Sequence, residues 1–119
     1  NLFGAFLSGA DLSQAVLTAA HLAEADLSGA LLVEADLSNA VLHLTCLSEA
    51  NLQASNLTAA SMSGARLWKA NLCDANLKGA DLCDANLCEA NLCGANLELT
   101  DISEAVFTGA IMPNGDTHD

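Results

Sequence analysis

The feature that most constrains this chain is a five-residue beat. Residues 70–94 read ANLCD ANLKG ADLCD ANLCE ANLCG without a break. With the central Leu of each unit as position i, the count runs in steps of five from Leu2 to Met112. Of these 23 centres 19 are Leu, the others being Met62, Ile102, Phe107 and Met112. Position i−2 is Ala in 19 of 22 units, the exceptions being Thr45, Ser55 and Thr100. Position i−1 favours Asn or Asp, and i+1 favours Ser, Thr or Cys. A fixed short period of this kind specifies a repeat architecture.

Five matches neither the 3.6-residue period of a helix nor the two-residue period of a strand, so the chain must be reset in every unit. Ala at i−2 and Leu at i lie two apart, as on one face of a short extended segment, and the residues between one Leu and the next Ala can turn a corner. Each unit is then one side and one corner of a coil lined with Ala and Leu. The outer residues favour four sides per turn. Asn51, Asn71 and Asn91 recur twenty apart, as do Asn56, Asn76 and Asn96, and Thr18, Ser38 and Thr58. Like residues stacked on successive turns can form side-chain ladders.

Tandem A(D/N)LXX units over residues 1–112 resemble the pentapeptide repeat family. The resemblance implies an all-β fold, a right-handed quadrilateral parallel β-helix with four repeats per coil and i and i−2 inside. Mapped onto this chain, Leu72, Leu77, Leu82 and Leu87 form one internal layer beside Ala70, Ala75, Ala80 and Ala85. About six coils at ~4.8 Å spacing make a rod ~29 Å long. The expected organisation is one solenoid, 1–112, followed by a C-terminal turn and tail, 113–119.

Composition bounds the function. Although 52% of residues are hydrophobic, they are too evenly interrupted to cross a bilayer as a helix, and no membrane association is expected. Three Lys and Arg against fifteen Asp and Glu give a net charge of −12, which argues against direct binding of nucleic acid or anionic lipid through phosphates. The chain begins at Asn1 in mid-repeat, and further residues are expected upstream. No secretory signal pattern is visible. A cytoplasmic location is expected; a periplasmic or thylakoid-lumen location after signal removal stays open.

Taken in order, Phe3 and Phe6 sit at outward positions of the first coil, where they would cover an open end or meet a segment upstream of Asn1. The following coils carry outward apolar residues at Val16, Leu31, Val33, Val41 and Leu44. Thr45 replaces an internal Ala, and its hydroxyl needs a backbone acceptor. His21 and His43 fall on one side of neighbouring coils; two His without further ligands read as a solvated surface rather than a metal site. Arg66, Trp68 and Lys69 fall together and form a candidate interaction surface, either an exposed anchor or a Trp lying over its coil with Arg stacked on it. Cys73, Cys83, Cys88 and Cys93 land on three different sides, so they cannot converge on one ion, and no metal is expected. Cys73 and Cys93 alone stack directly, within disulfide range although parallel Cβ vectors would strain the bond, and the prevailing reading of all five Cys is substitution for Ser at tolerant corners in a reducing compartment. Asp81, Asp84, Asp101 and Glu104 concentrate negative charge in two coils and form a second candidate surface; a solvated face is the default reading. Phe107 suggests a plug or a surface for end-to-end dimerisation. Pro113-Asn114-Gly115-Asp116 ends the repeat with turn residues, and Thr117-His118-Asp119 is expected to fray.

No catalytic constellation and no cofactor motif appear, and an interior filled by Leu and Ala leaves no pocket for substrate. The chain therefore reads as a non-enzymatic structural or interaction solenoid offering a rigid acidic surface to an unknown protein partner. Many proteins that look like this come from photosynthetic bacteria and have no known biochemical activity. The alternative the resemblance implies is a DNA-mimicking inhibitor or protector of DNA gyrase. A metal- or redox-sensing role for the Cys side ranks below both.

Overall fold

The computed structural model describes all residues from Asn1 to Asp119. No residue is helical, and every unit from Phe6 onward repeats one pattern of bridge, centre and two-residue corner. Parallel β-bridges join i−1 residues twenty apart, from Phe6 with Asp26 to Asn91 with Ile111. Four units therefore make one coil, as the Asn spacing predicts. Each side is bridged at a single residue per coil, so the sides are rows of isolated bridges rather than strands. The molecule measures 36 × 23 × 19 Å along its principal axes.

The same hydrogen bonds recur in every coil. The amide of a centre donates to the i−1 carbonyl of the next coil, as Leu72 does to Asn91 at 2.7 Å. The corner amide at i+2 donates to the i+1 carbonyl above it, as Asp74 does to Cys93 at 2.9 Å. Within a unit the next Ala amide closes the turn on the centre carbonyl, as Ala75 does on Leu72 at 3.1 Å.

Each corner requires a left-handed residue at i+2, the geometry of a type II turn. All 22 such positions from Gly4 to Gly109 have positive φ, yet only seven are Gly. The other fifteen include Leu44, Lys69, Glu89 and Leu99. A left-handed L residue costs roughly 1–2 kcal/mol, and the stacked ladder holds it there. The sequence carries a partial trace of this demand, since all seven Gly from Gly4 to Gly109 stand at i+2.

Asn or Asp at i−1 supports the same corner from the side. In all thirteen Asx units Oδ1 accepts the i+1 amide, as Asn86 does from Cys88 at 3.0 Å. This Asx turn is the main reason for the residue type. The side-chain ladders expected along the Asn columns reduce to two long contacts, Asn71 to Asn51 and Asn96 to Asn76, both 3.3 Å.

The core is a column of Leu and Ala. Leu72, Leu77, Leu82 and Leu87 are each 0% exposed, and Ala70, Ala75, Ala80 and Ala85 are at most 1% exposed. Burying such a Leu contributes about 1.5–3 kcal/mol. Thr45 finds the acceptor it needs, its hydroxyl donating to the Leu22 carbonyl at 2.9 Å. Thr100 does the same to Leu77 at 2.7 Å. Ser55 is equally buried, but its hydroxyl has no partner.

The two ends differ from expectation. Phe6 is 92% exposed and does not cap the end within this chain, whereas Phe3 leans on His21 with ring centroids 5.7 Å apart. The C-terminal residues do not fray: Thr117 pairs antiparallel with Ile111, and the His118 amide donates to Ala110 at 2.7 Å. The His118 ring lies 5.9 Å from Phe107, which is 7% exposed.

Candidate interaction surface

Numbering the sides by their centres gives side 1 (Leu2, Leu22, Leu42, Met62, Leu82, Ile102), side 2 (from Leu7), side 3 (from Leu12) and side 4 (from Leu17). The twenty-residue register then assigns every outward residue to a column. Side 1 carries Glu24, Asp81, Asp84, Asp101 and Glu104 and no Lys or Arg. The seven surface residues singled out in the sequence divide between two neighbouring sides. Asp81, Asp84, Asp101 and Glu104 stand on side 1, and Arg66, Trp68 and Lys69 on side 2.

On side 1, Asp81 and Asp101 are bridged partners in successive coils. Asp81 accepts the Cys83 amide at 2.9 Å. Asp101 accepts both the hydroxyl and the amide of Ser103, at 2.6 and 3.0 Å. The Ser103 hydroxyl, followed by its amide, holds the Asp101 carboxyl below the usual range. Asp26 and Asp36 are lowered in the same way by Ser28 and Ser38, first through the hydroxyl and then through the amide. Burial pushes the Cys83 thiol up, and the carboxylates of Asp84, Asp101 and Asp81 push it further. The two His of this side do not converge: His43 meets the Ser63 hydroxyl at 2.7 Å, while His21 lies against Phe3. No three His, Cys, Asp or Glu side chains come together as a metal ion would need.

On side 2 the cation over the Trp68 ring is Lys69, 4.5 Å from the centroid, rather than Arg66. Lys69 also pairs with Glu89, one coil further on, at 3.8 Å. On side 4 Lys78 pairs with Glu98 at 3.9 Å in the same manner. These pairs are exposed and worth little individually, but they neutralise their sides locally. Opposite charges twenty residues apart were the signal for them in the sequence. Arg66 has no ion pair; with Glu24, Leu44 and Gly64 it lines an open depression of about 460 Å³ at the corner between sides 1 and 2. The Leu44 side chain lies across Gly64, with Cδ2 2.7 Å from where a Cβ would stand. Trp68 is 37% exposed.

All five Cys are free. Cys73 and Cys93 stand one above the other on side 3, Cys83 is on side 1, and Cys46 and Cys88 are on side 2. No helix is long and apolar enough to cross a membrane.

A coil of four five-residue units, each with Ala and Leu inside and an Asx-supported corner outside, defines the class: the chain belongs to the pentapeptide repeat family. The family model for pentapeptide repeats matches in 8 copies, over residues 1–32, 20–58, 50–87 and 84–116. Among solved structures the chain is similar to the pentapeptide repeat protein Rfr23 of the cyanobacterium Cyanothece 51142, with 44% identity and a TM-score of 0.72. That match covers 72% of this chain, which spans 58% of Rfr23. HetL, a Nostoc pentapeptide repeat protein involved in heterocyst differentiation regulation, is 30% identical over 98% of this chain and 73% of its own, with a TM-score of 0.38. A pentapeptide repeat protein of the Arabidopsis thaliana thylakoid lumen is 32% identical over 79% of this chain and 66% of its own, with a TM-score of 0.43. No curated protein matches the chain.

Proposed function

We propose that this chain is a non-enzymatic interaction solenoid, a right-handed quadrilateral β-helix over residues 1–112 closed by residues 113–119, which presents side 1 to a protein partner. The observation that carries the reading is the uneven charge: side 1 holds five carboxylates and no cation, side 3 holds three and no cation, and sides 2 and 4 carry Lys–Glu pairs. Interior positions are filled by Leu and Ala, so the chemistry on offer is external. The ladder fixes the outward columns at regular spacing, so little ordering entropy opposes docking. Arg66, Trp68 and Lys69 extend the surface across the shared corner. The five free thiols suit a reducing compartment, the cytoplasm.

The test is affinity capture with the parent protein beside two variants, Asp84→Asn/Glu104→Gln on side 1 and Glu34→Gln/Asp74→Asn on side 3. A partner retained by the parent and the side 3 variant but lost from the side 1 variant is expected. Equal retention by all three would overturn the assignment.

The same five carboxylates favour a second reading, a DNA-mimicking inhibitor or protector of DNA gyrase. A supercoiling assay decides it. Inhibition by the parent that is lost in the side 1 variant supports the mimic, and no inhibition at micromolar excess rejects it.

A further inference from the structure

We propose that Cys73 and Cys93 form a reversible redox modification site in which a low-molecular-weight disulfide crosslinks two successive coils. This pair differs from the other thiols by position. Both residues occupy i+1 on side 3, and their units are joined by the Asn71–Asn91 bridge. One hydrogen bond joins the two corners directly, and one within each unit fixes its Cys. The Asp74 amide donates to the Cys93 carbonyl at 2.9 Å, and the Cys73 and Cys93 amides each donate to the Oδ1 of their own Asn, Asn71 and Asn91, at 3.0 Å. Stacking at ~4.8 Å places the Cα atoms inside the ~4.4–6.8 Å span of a disulfide. Cys83 and Cys88 have no Cys at the same column of an adjacent coil.

Accessibility orders the steps. Cys93 is exposed and Cys73 half-buried. Burial raises the Cys73 thiol, and the facing Cys93 and Asp74 raise it further, so Cys93 reacts first with a disulfide such as oxidised glutathione. The Cys93 thiolate attacks one glutathione sulfur, the glutathione S–S bond breaks, and a glutathione thiolate leaves. Cys73 then gives its proton to solvent, and its thiolate attacks the Cys93 sulfur of the mixed disulfide and expels the second glutathione thiolate. In sum the protein dithiol loses two electrons and two protons, and oxidised glutathione is reduced to two thiols. Stacked side chains have nearly parallel Cα–Cβ bonds, wider than the ~3.5–4.5 Å Cβ separation of a relaxed disulfide. The crosslink is therefore strained and readily reduced, which suits a conditional bond rather than a structural one.

The full chain is incubated in glutathione buffers of increasing oxidised fraction, quenched with acid, and read by thiol titration and peptide mass mapping. The expected result is a fall from five free thiols to three, a Cys73–Cys93 crosslinked peptide, and full return on adding reduced glutathione. Cys73→Ser retains the common corner residue of this repeat, and it should hold the glutathione adduct on Cys93 at least about tenfold longer than the parent does, because the resolving thiol is gone. An adduct on Cys93 equally persistent in parent and variant would overturn the proposal. So would five free thiols under oxidising buffer, or a crosslink between any other pair.

Discussion

Ser55→Ala should stabilise this protein, although it removes a polar group and adds nothing. Ser55 is 1% exposed, and its hydroxyl has no hydrogen-bond partner. The equivalent hydroxyls of Thr45 and Thr100 each reach a centre carbonyl 23 residues back, at 2.9 and 2.7 Å. For Ser55 the corresponding acceptor is the Leu32 carbonyl, which accepts the Ala35 amide at 3.1 Å but no bond from the Ser55 hydroxyl. A buried unpaired hydroxyl costs about 1–3 kcal/mol, and Ala already fills 19 of the 22 equivalent sites. Ser55→Ala should therefore gain about 1 kcal/mol. Thr45→Ala removes a formed hydrogen bond, worth about 0.5–1.5 kcal/mol, and a buried methyl worth about 0.8 kcal/mol, so it should lose about 1–2 kcal/mol. The assay is urea denaturation of parent and both variants followed by far-ultraviolet circular dichroism, fitted with a common slope. Opposite signs are expected. If Ser55→Ala destabilises as much as Thr45→Ala, the Ser55 hydroxyl is bonded in solution and the reasoning fails.

Three further outcomes are expected. Leu72→Ala should cost about 2–5 kcal/mol, whereas Asn71→Ser, which keeps a side-chain oxygen near the Cys73 amide, should cost under about 1 kcal/mol; equal costs in the same denaturant series would refute the inside–outside assignment. The carboxyls of Asp26, Asp36 and Asp101 are depressed below their ordinary value of 3.8 by Ser hydroxyls and amides. A group depressed in the folded state contributes stability above its unfolded pKa and loses it as pH falls through its folded one. Replacing Ser28, Ser38 and Ser103 with Ala should therefore move the acid-unfolding midpoint upward, and an unchanged midpoint would mean the hydroxyl bonds are idle. At the corners, Gly79 has φ +70 with nothing within 4 Å of an added Cβ, while Gly64 has φ +66 with Leu44 Cδ2 at 2.7 Å. Gly79→Ala should cost about 1 kcal/mol from backbone strain alone, and Gly64→Ala only slightly more, because the flexible, 46% exposed Leu44 end can move aside. A gap between the two above about 2 kcal/mol in chemical denaturation would show that the Leu44 corner cannot yield.

Much of the fold was legible because its determinants are local and repeated. Leu at i and Ala at i−2 declare the interior in every unit, and the twenty-residue recurrence of Asn and Thr/Ser declares four sides. Thr45 could be read because a buried hydroxyl must find an acceptor. The left-handed corner left only a partial trace: the seven Gly of the repeats all stand at i+2, but Glu49, Leu99 and Lys69 occupy it too, and the ladder overrides their local preference. Asn at i−1 was legible as a column but not as an Asx acceptor, since both uses favour the same residue. The candidate surface was half legible. Register alone collects Asp81, Asp84, Asp101 and Glu104 on one side, but whether Arg66 or Lys69 lies over Trp68 depends on side-chain reach. The pairing of Thr117 with Ile111 left no sequence signal, because it is a single antiparallel bridge beyond the last repeat.

Bridges between residues twenty apart also make length changes act in quanta. Since units on all four sides share one interior, inserting or deleting five residues leaves the Leu and Ala column continuous. Every later outward residue, however, moves round by a quarter turn. An insertion of five between Trp68 and Asp81 would bring Asp81 and Asp101 into the column of Arg66, and a change of twenty would restore the original phase while altering the length by one coil of ~4.8 Å. The exterior of such a rod can thus be rotated against itself, coil by coil, while the interior registers no change at all.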